Sequence, residues 1–153
     1  MFENVGLKDV STYINSGNVI FTGDKRSKLE IEFALQEAIE KEFGLKIKVL
    51  LVDKTKILSL AKMLPDSWVN DATMKCDVMF LWEGVDNPEV MDEITIKPGI
   101  DTVMYAKGAL LWSVDRAGAT RSGIQKLIGT ELYKHMTVRN ANTFRKLVSL
   151  IES

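Results

Sequence analysis

An α+β protein of two β-α-β-β-α-β units, the first without its opening strand and helix, is what the sequence predicts. Two observations carry this. Residues 10–22 read as a hairpin, because β-branched and aromatic residues flank Asn15, Ser16, Gly17 and Asn18, where Gly17 can take a positive φ without a Cβ clash. The pattern recurs at 102–114, with Tyr105, Gly108 and Trp112 standing where Tyr13, Gly17 and Phe21 stood. Each hairpin runs on into a helical pattern and a strand, and only the second is preceded by a strand and a helix start. That order is the ferredoxin-like one, in which two helices cover one face of a four-stranded antiparallel sheet.

Taken in order, Phe2, Val5 and Leu7 with Gly6 look like a helix's last turn and the glycine that ends it, so the beginning of a unit is expected to be missing. Ser27 and Glu30 have capping-box spacing. Behind them Ile31, Leu35, Ile39 and Phe43 fall four apart, an apolar stripe stopped by Gly44. Residues 46–52 alternate as a strand. Asp53 can cap a short helix carrying Ile57, Leu60, Ala61 and Leu64, which Pro65 ends. The first domain therefore closes at 1–64, the aperiodic stretch 65–75 reads as a linker, and 76–153 forms the second unit with a C-terminal helix. In that unit 76–82 is apolar almost throughout and should be central in its sheet. Asn87, Pro88 and Glu89 start a helix that Pro98 and Gly99 keep short. After the hairpin come a helix over about 122–133, a strand at 136–138 and a last helix with Phe144, Leu147, Val148 and Ile151 on one side.

The bulk numbers narrow the function classes. An apolar content of 46% with 27% charged residues is that of an ordinary globular protein, and a net charge of −1 gives the whole molecule no field that seeks polyanions. One cysteine, Cys76, excludes an internal disulfide and points to a reducing, cytoplasmic setting. The longest apolar run, five residues at 78–82, is far too short to span a membrane. Cys76 and His135 each stand alone, so neither a metal site nor a cofactor is expected, and no phosphate-loop or dinucleotide glycine pattern occurs. No catalytic set is visible. A Cys76–His135 nucleophilic pair is the minor reading beside an inert core thiol.

Three stretches resemble a bacterial family of undetermined function, domain of unknown function 1697. Thr12-Tyr13-Ile14-Asn15-Ser16-Gly17-Asn18-Val19-Ile20-Phe21 is similar to its T-Y-x-x-S-G-N-V-x-F signature, and residues 75–81 resemble its central strand. Thr137-Val138-Arg139-Asn140-Ala141-Asn142-Thr143-Phe144-Arg145-Lys146-Leu147 resembles its terminal T-x-R-N-x-N-T-x-x-K-L motif. The likeness covers essentially the whole chain. Ala141 stands where the family usually has Trp, and nothing matches the strand and L-L-R-G-I-N-V-G loop with which the family usually opens. The resemblance implies a fold and no activity.

The candidate site lies in the one charged asymmetry. Residues 116–147 hold seven basic side chains (Arg116, Arg121, Lys126, Lys134, Arg139, Arg145, Lys146) and one acid (Glu131), a net of +6 that leaves −7 elsewhere. Such a block neutralises the phosphates of a ligand, or it is a solvated face paired with acidic helices. Within it Arg139, Asn140, Asn142 and Thr143 sit where a strand gives way to a helix, with Arg121 and Lys146 in the same block. Free N–H groups, an Arg fork and two amides would cradle an anion; alternatively an asparagine caps the helix and Arg139 stitches the strand to a neighbour. Asn15, Ser16 and Asn18 carry the same two readings, ligand contacts or turn chemistry. An RNA-recognition sheet would want aromatics where Ala109 and Leu111 stand, so Trp112 is expected in the core. The expected function is a binding or interaction module for an anionic small molecule or nucleic acid, with no membrane. The alternative is an enzyme of unknown reaction whose site needs the absent N-terminal segment. Self-association into a homo-oligomer is expected too, because neighbours of a missing strand have amides to satisfy.

Overall fold

β3 (Met74–Leu81) is the buried spine of the larger of two units, with Cys76, Val78 and Met79 fully inaccessible. The computed structural model describes residues 5–13, 17–23 and 25–152, and its contacts divide the chain into units 1–52 and 53–153. A strand apolar on both faces needs a neighbour on each edge and a layer on each side. β5 (Ala109–Asp115) and β6 (Met136–Asn140) supply the edges, β4 (Asp101–Ala106) lies outside β5, and every pair in the order β4-β5-β3-β6 is antiparallel. Hairpin and last strand thus enclose the first strand between them, the order of a split β-α-β arrangement.

Alternation along the strands builds two layers of core. Met79, Leu81, Leu110, Trp112 and Met136 face one way and pack with Val90, Ile124, Leu127 and Leu132 from short helical turns. On the other side Phe80 meets Phe144 of α4 (Ala141–Glu152), with ring centroids 6.0 Å apart, and α2 (Lys54–Met63) packs on α4. α2 buries Ile57 and Leu60, and Leu64 at its end is buried as well. This helix therefore belongs to the larger unit, so the expected boundary at residue 64 and the linker at 65–75 differ from the observed division.

Two glycines are demanded by the geometry. Gly108 closes the β4–β5 turn at φ +102°, a conformation that L side chains rarely adopt, and its amide donates to Asp86. At Gly123 a Cβ would sit 1.7 Å from the Thr95 carbonyl oxygen, so only glycine fits.

Several helix expectations are corrected. Residues 88–93 form a 3₁₀ turn, and Asn87 makes no capping bond. The helix expected over 122–133 is only α3 (Ile124–Leu127), followed by a 3₁₀ turn at Leu132–His135. Thr130 separates them: its hydroxyl donates to the Leu127 carbonyl and accepts from the Tyr133 amide, a side-chain alternative to continued helix.

The smaller unit is a hairpin under a helix. β1 (Lys8–Tyr13) and β2 (Asn18–Thr22) pair antiparallel, with a register shift beside Asp9, whose φ is +53°. α1 (Lys28–Phe43) runs from Ser27, whose hydroxyl accepts from the Glu30 amide, to a left-handed Gly44. Ile31 and Leu35 are buried with Leu7, but Phe43, expected on the same stripe, is 58% exposed. The strand expected at 46–52 joins no sheet among the described residues. Its Val49 amide donates to Gln36 Oε1 (2.9 Å) and its Leu51 amide to Glu32 Oε2 (2.9 Å). Acceptors one helical turn apart, about 6 Å, thus serve amides two residues apart, a spacing that extended backbone reaches.

Candidate functional site

The terminal motif spans the joint of β6 and α4, and most of its polar groups are spent on the chain's own backbone. Asn140 caps α4: its Oδ1 accepts from the Thr143 amide at 2.9 Å, which answers in favour of capping over ligand contact for this side chain. Asn142 donates from Nδ2 to the Asn70 carbonyl (2.8 Å), and Arg145 donates to the Pro65 carbonyl (2.9 Å). Arg116 completes the clamp, donating from Nε to the Asp71 carbonyl (2.6 Å) and from Nη2 to Asn70 Oδ1 (3.3 Å). The stretch read as a linker is therefore a strap fastened by an amide and two guanidinium groups. Asp71 shapes its turn. Amides of Met74 and Thr73 and the Thr73 hydroxyl bond its carboxylate, and they hold its pKa below the usual range.

The remaining sequence candidates scatter. Arg139 is half-buried on β6, donates to the Val138 carbonyl at 2.9 Å, and has its pKa lowered by desolvation. Arg121, at the end of the 3₁₀ turn Arg116–Arg121, and Lys146 on α4 are exposed. Thr143 is buried. Asn18 lies in the smaller unit, donating to the Tyr13 carbonyl at 3.2 Å, while Asn15 and Ser16 lie outside the described residues. Of the basic block, Arg116 and Arg145 hold the strap and Lys134 pairs with Glu131 at 3.2 Å.

Sequence reasoning missed the most heavily bonded carboxylate. Asp101 accepts from Ser122 Oγ (2.5 Å), the Lys97 and Gly123 amides (2.8 Å each) and Trp112 Nε1 (3.0 Å). Burial pushes its pKa up, but those bonds outweigh burial and the net shift is downward. Asp86 plays a smaller version of this part, accepting from Tyr105 Oη (2.7 Å) and the Gly108 amide (2.9 Å). Burial, then that contact, raises Tyr105 to about 12. Lys75 bonds and ion-pairs the buried Asp77. No motif connects the partners of Asp101 and Asp86, because Trp112, Ser122, Tyr105 and Gly108 lie 11 to 22 residues away in sequence. Cys76 is a core thiol as expected, pushed by burial up to about 11. Trp112 is 1% exposed and Ala109 and Leu111 are fully buried, so this sheet offers no stacking platform. Among the described residues no group of three or more His, Cys, Asp or Glu could hold a metal ion, and no helix is long and apolar enough to cross a membrane.

Large apolar side chains stay open to solvent mostly in the smaller unit, with Met63, Ile96 and Ile128 in the larger one. Leu29 and Phe33 are 69% and 61% exposed on the side of α1 opposite Ile31 and Leu35, and Phe43 at its C-terminus and Leu45 and Ile47 beyond it are about half exposed.

A family described as "Protein of unknown function (DUF1697)" matches residues 1–112. The chain belongs to this family. The DUF1697 match takes in the first hairpin and the central strand β3, and the terminal motif lies beyond it. The structure of a conserved bacterial protein, SP0830 from Streptococcus pneumoniae, is similar to this chain at 26% identity and a TM-score of 0.78, covering 97% of this chain and 83% of the other. No curated protein matches.

Proposed function

We propose that this DUF1697 protein is a binding or interaction module whose contact surface lies on the smaller unit, and that it works in a reducing, cytoplasmic setting. One observation carries the reading: Leu29, Phe33, Phe43, Leu45 and Ile47, five large apolar side chains within 29–47, are all about half exposed or more. Isolated exposed leucines are ordinary, but a concentration of this kind marks an interaction surface. The larger unit supports the reading by contrast, since its perturbed groups do not converge. Asp71 and Asp101 each answer to bonds within the fold, Tyr105 to burial and then to Asp86, and Cys76 to burial. The finer fold reading, two ferredoxin-like units, belongs to the same proposal and is supported by the strand order of the larger unit. An anionic ligand at Arg121, Arg139 and Lys146 has less behind it, because Asn140, Asn142 and Arg145 of the same stretch are occupied. The alternative, an enzyme completed by a further segment, gains no support from the geometry.

The test is Leu29→Gln combined with Phe33→Gln. If these side chains form a contact surface, the double variant melts within about 2 °C of the parent and binds at most half as much anilinonaphthalene sulfonate. A loss of more than about 8 °C would place both side chains in a core and overturn the reading.

A further inference from the structure

We propose that residues 65–70 of the strap are a gate: they swing off the end of β3 as one piece while the sheet stays folded, and this opening admits solvent and reagents to Cys76. The inference concerns the larger unit alone and goes beyond the contact surface read on α1. No side chain from 65 to 75 is buried, whereas the six successive residues from Cys76 to Leu81 all are. A segment with no buried side chain and with its fastenings near the surface belongs to the low-stability end of a fold. Both ends of the gate are anchored. Leu64 is buried before it, and after it the Asp71 turn is bonded to the amides of Thr73 and Met74.

The sheet explains what the strap does there. β5 pairs with β3 back to Met74, but β6 pairs with β3 only from Asp77 onward. Strand amides point alternately to one neighbour and the other. The Leu81 amide donates to the Gly108 carbonyl on the β5 side, so those of Phe80, Val78 and Cys76 point to the β6 side. For Cys76 that direction leads past the end of β6, and Asn70 supplies the acceptor, its Oδ1 lying 3.2 Å from the Cys76 nitrogen. The Cys76 thiol feels the charge of Arg145, which itself donates to the Pro65 carbonyl at 2.9 Å. The strap therefore meets Cys76 twice, directly through Asn70 and through Arg145 at Pro65.

Three bonds from outside hold residues 65–70 down. Asn142 Nδ2 donates to the Asn70 carbonyl, Arg116 Nη2 to Asn70 Oδ1, and Arg145 to the Pro65 carbonyl. Asn142 and Arg116 are exposed, so water replaces their bonds at little cost. The Trp68 amide donates to the Pro65 carbonyl, a turn within the segment that lets it move as one piece.

The test labels the whole chain with iodoacetamide, a small neutral thiol reagent, at pH 8 and at urea concentrations below the unfolding transition. Amide exchange is followed under the same conditions. The slope of an opening against urea scales with the surface it exposes, and six residues of 153 expose little. We expect Cys76 labelling, and exchange of its amide, to show a slope under about a third of that for unfolding of the larger unit. Amides of Val78 and Phe80, laddered to β6, should follow the full slope. Asn142→Ala combined with Arg116→Gln should speed labelling about tenfold or more and keep the shallow slope. The charges that act on the thiol are those of Asp77, Arg145 and Lys75, so this variant changes access and not acidity. Labelling of the parent with the full slope, matching Val78 and Phe80, overturns the gate, and so does a variant labelled at the parent's rate. The slope in the parent decides the matter even where the variant is unstable. Either result leaves the apolar surface of the smaller unit to its own test.

Discussion

Replacing Asp101 by Ala should be among the costliest single changes to the larger unit. Its carboxylate accepts four bonds, from Ser122 Oγ, Trp112 Nε1 and the amides of Lys97 and Gly123, at a site where Asp101 is 7% exposed and Ser122 3%. Each donor left unpaired in a buried place costs about 1–3 kcal/mol, and water entering the space left by the side chain recovers part of that. A loss of about 4 kcal/mol is therefore expected, a large share of the roughly 5–15 kcal/mol that stabilises a typical domain. Asp101→Asn keeps one acceptor oxygen and should cost about half as much. Urea unfolding followed by far-ultraviolet circular dichroism measures both. The sign of the acid dependence follows from the lowered pKa. Because the folded value lies below the unfolded one of about 3.9, the contribution is complete above that pH and is lost as pH falls through the folded value. The parent should therefore lose more stability on acidification below about pH 4 than Asp101→Asn does. An Ala variant costing under about 1 kcal/mol, or equal acid slopes for parent and Asn variant, would refute the assignment of Asp101 as the hub.

Two further outcomes are specific. Asn140→Ala should cost about 1 kcal/mol by uncapping α4, with Asn140→Asp near neutral, both read from urea midpoints. Because burial raises the Cys76 thiol to about 11, Ellman's reagent at pH 8 should label it at least about a hundredfold more slowly in the native chain than in urea; comparable rates would mean the β3 core opens readily.

Much of the larger unit was legible because its signals are local and agree with one another. The buried run of β3, the glycine turn between β4 and β5, and the capping amide at Asn140 each state a local geometry that few residue types satisfy. The helix over 122–133 was misread because Thr130 competes for backbone groups, an effect that apolar periodicity does not register. The strap at 65–75 was taken for a linker since it has no period of its own. What holds it comes from Arg116, Asn142 and Arg145, 45 to 80 residues away in sequence. The same holds for Asp101, whose partners Trp112 and Ser122 no motif connects. At 46–52 the strand pattern was read correctly as alternation, yet alternation shows which face is apolar and not whether a ladder partner exists. For the candidate site, sequence found the residues at the β6–α4 joint but not their use. An asparagine at a helix start looks the same whether it caps or binds, and the bonds of Asn140 and Asn142 decide it.

Amide hydrogen exchange on the whole chain tests most directly whether the smaller unit is the less protected of the two. The laddered amides of β3 and β5, in buried strands, should exchange only through the largest openings of the larger unit. Amides of β2 and of residues 46–52, in the smaller unit, should exchange at least about a hundredfold faster than the slowest amides of β3. Protection throughout 18–22 and 46–52 equal to that of β3 would contradict it.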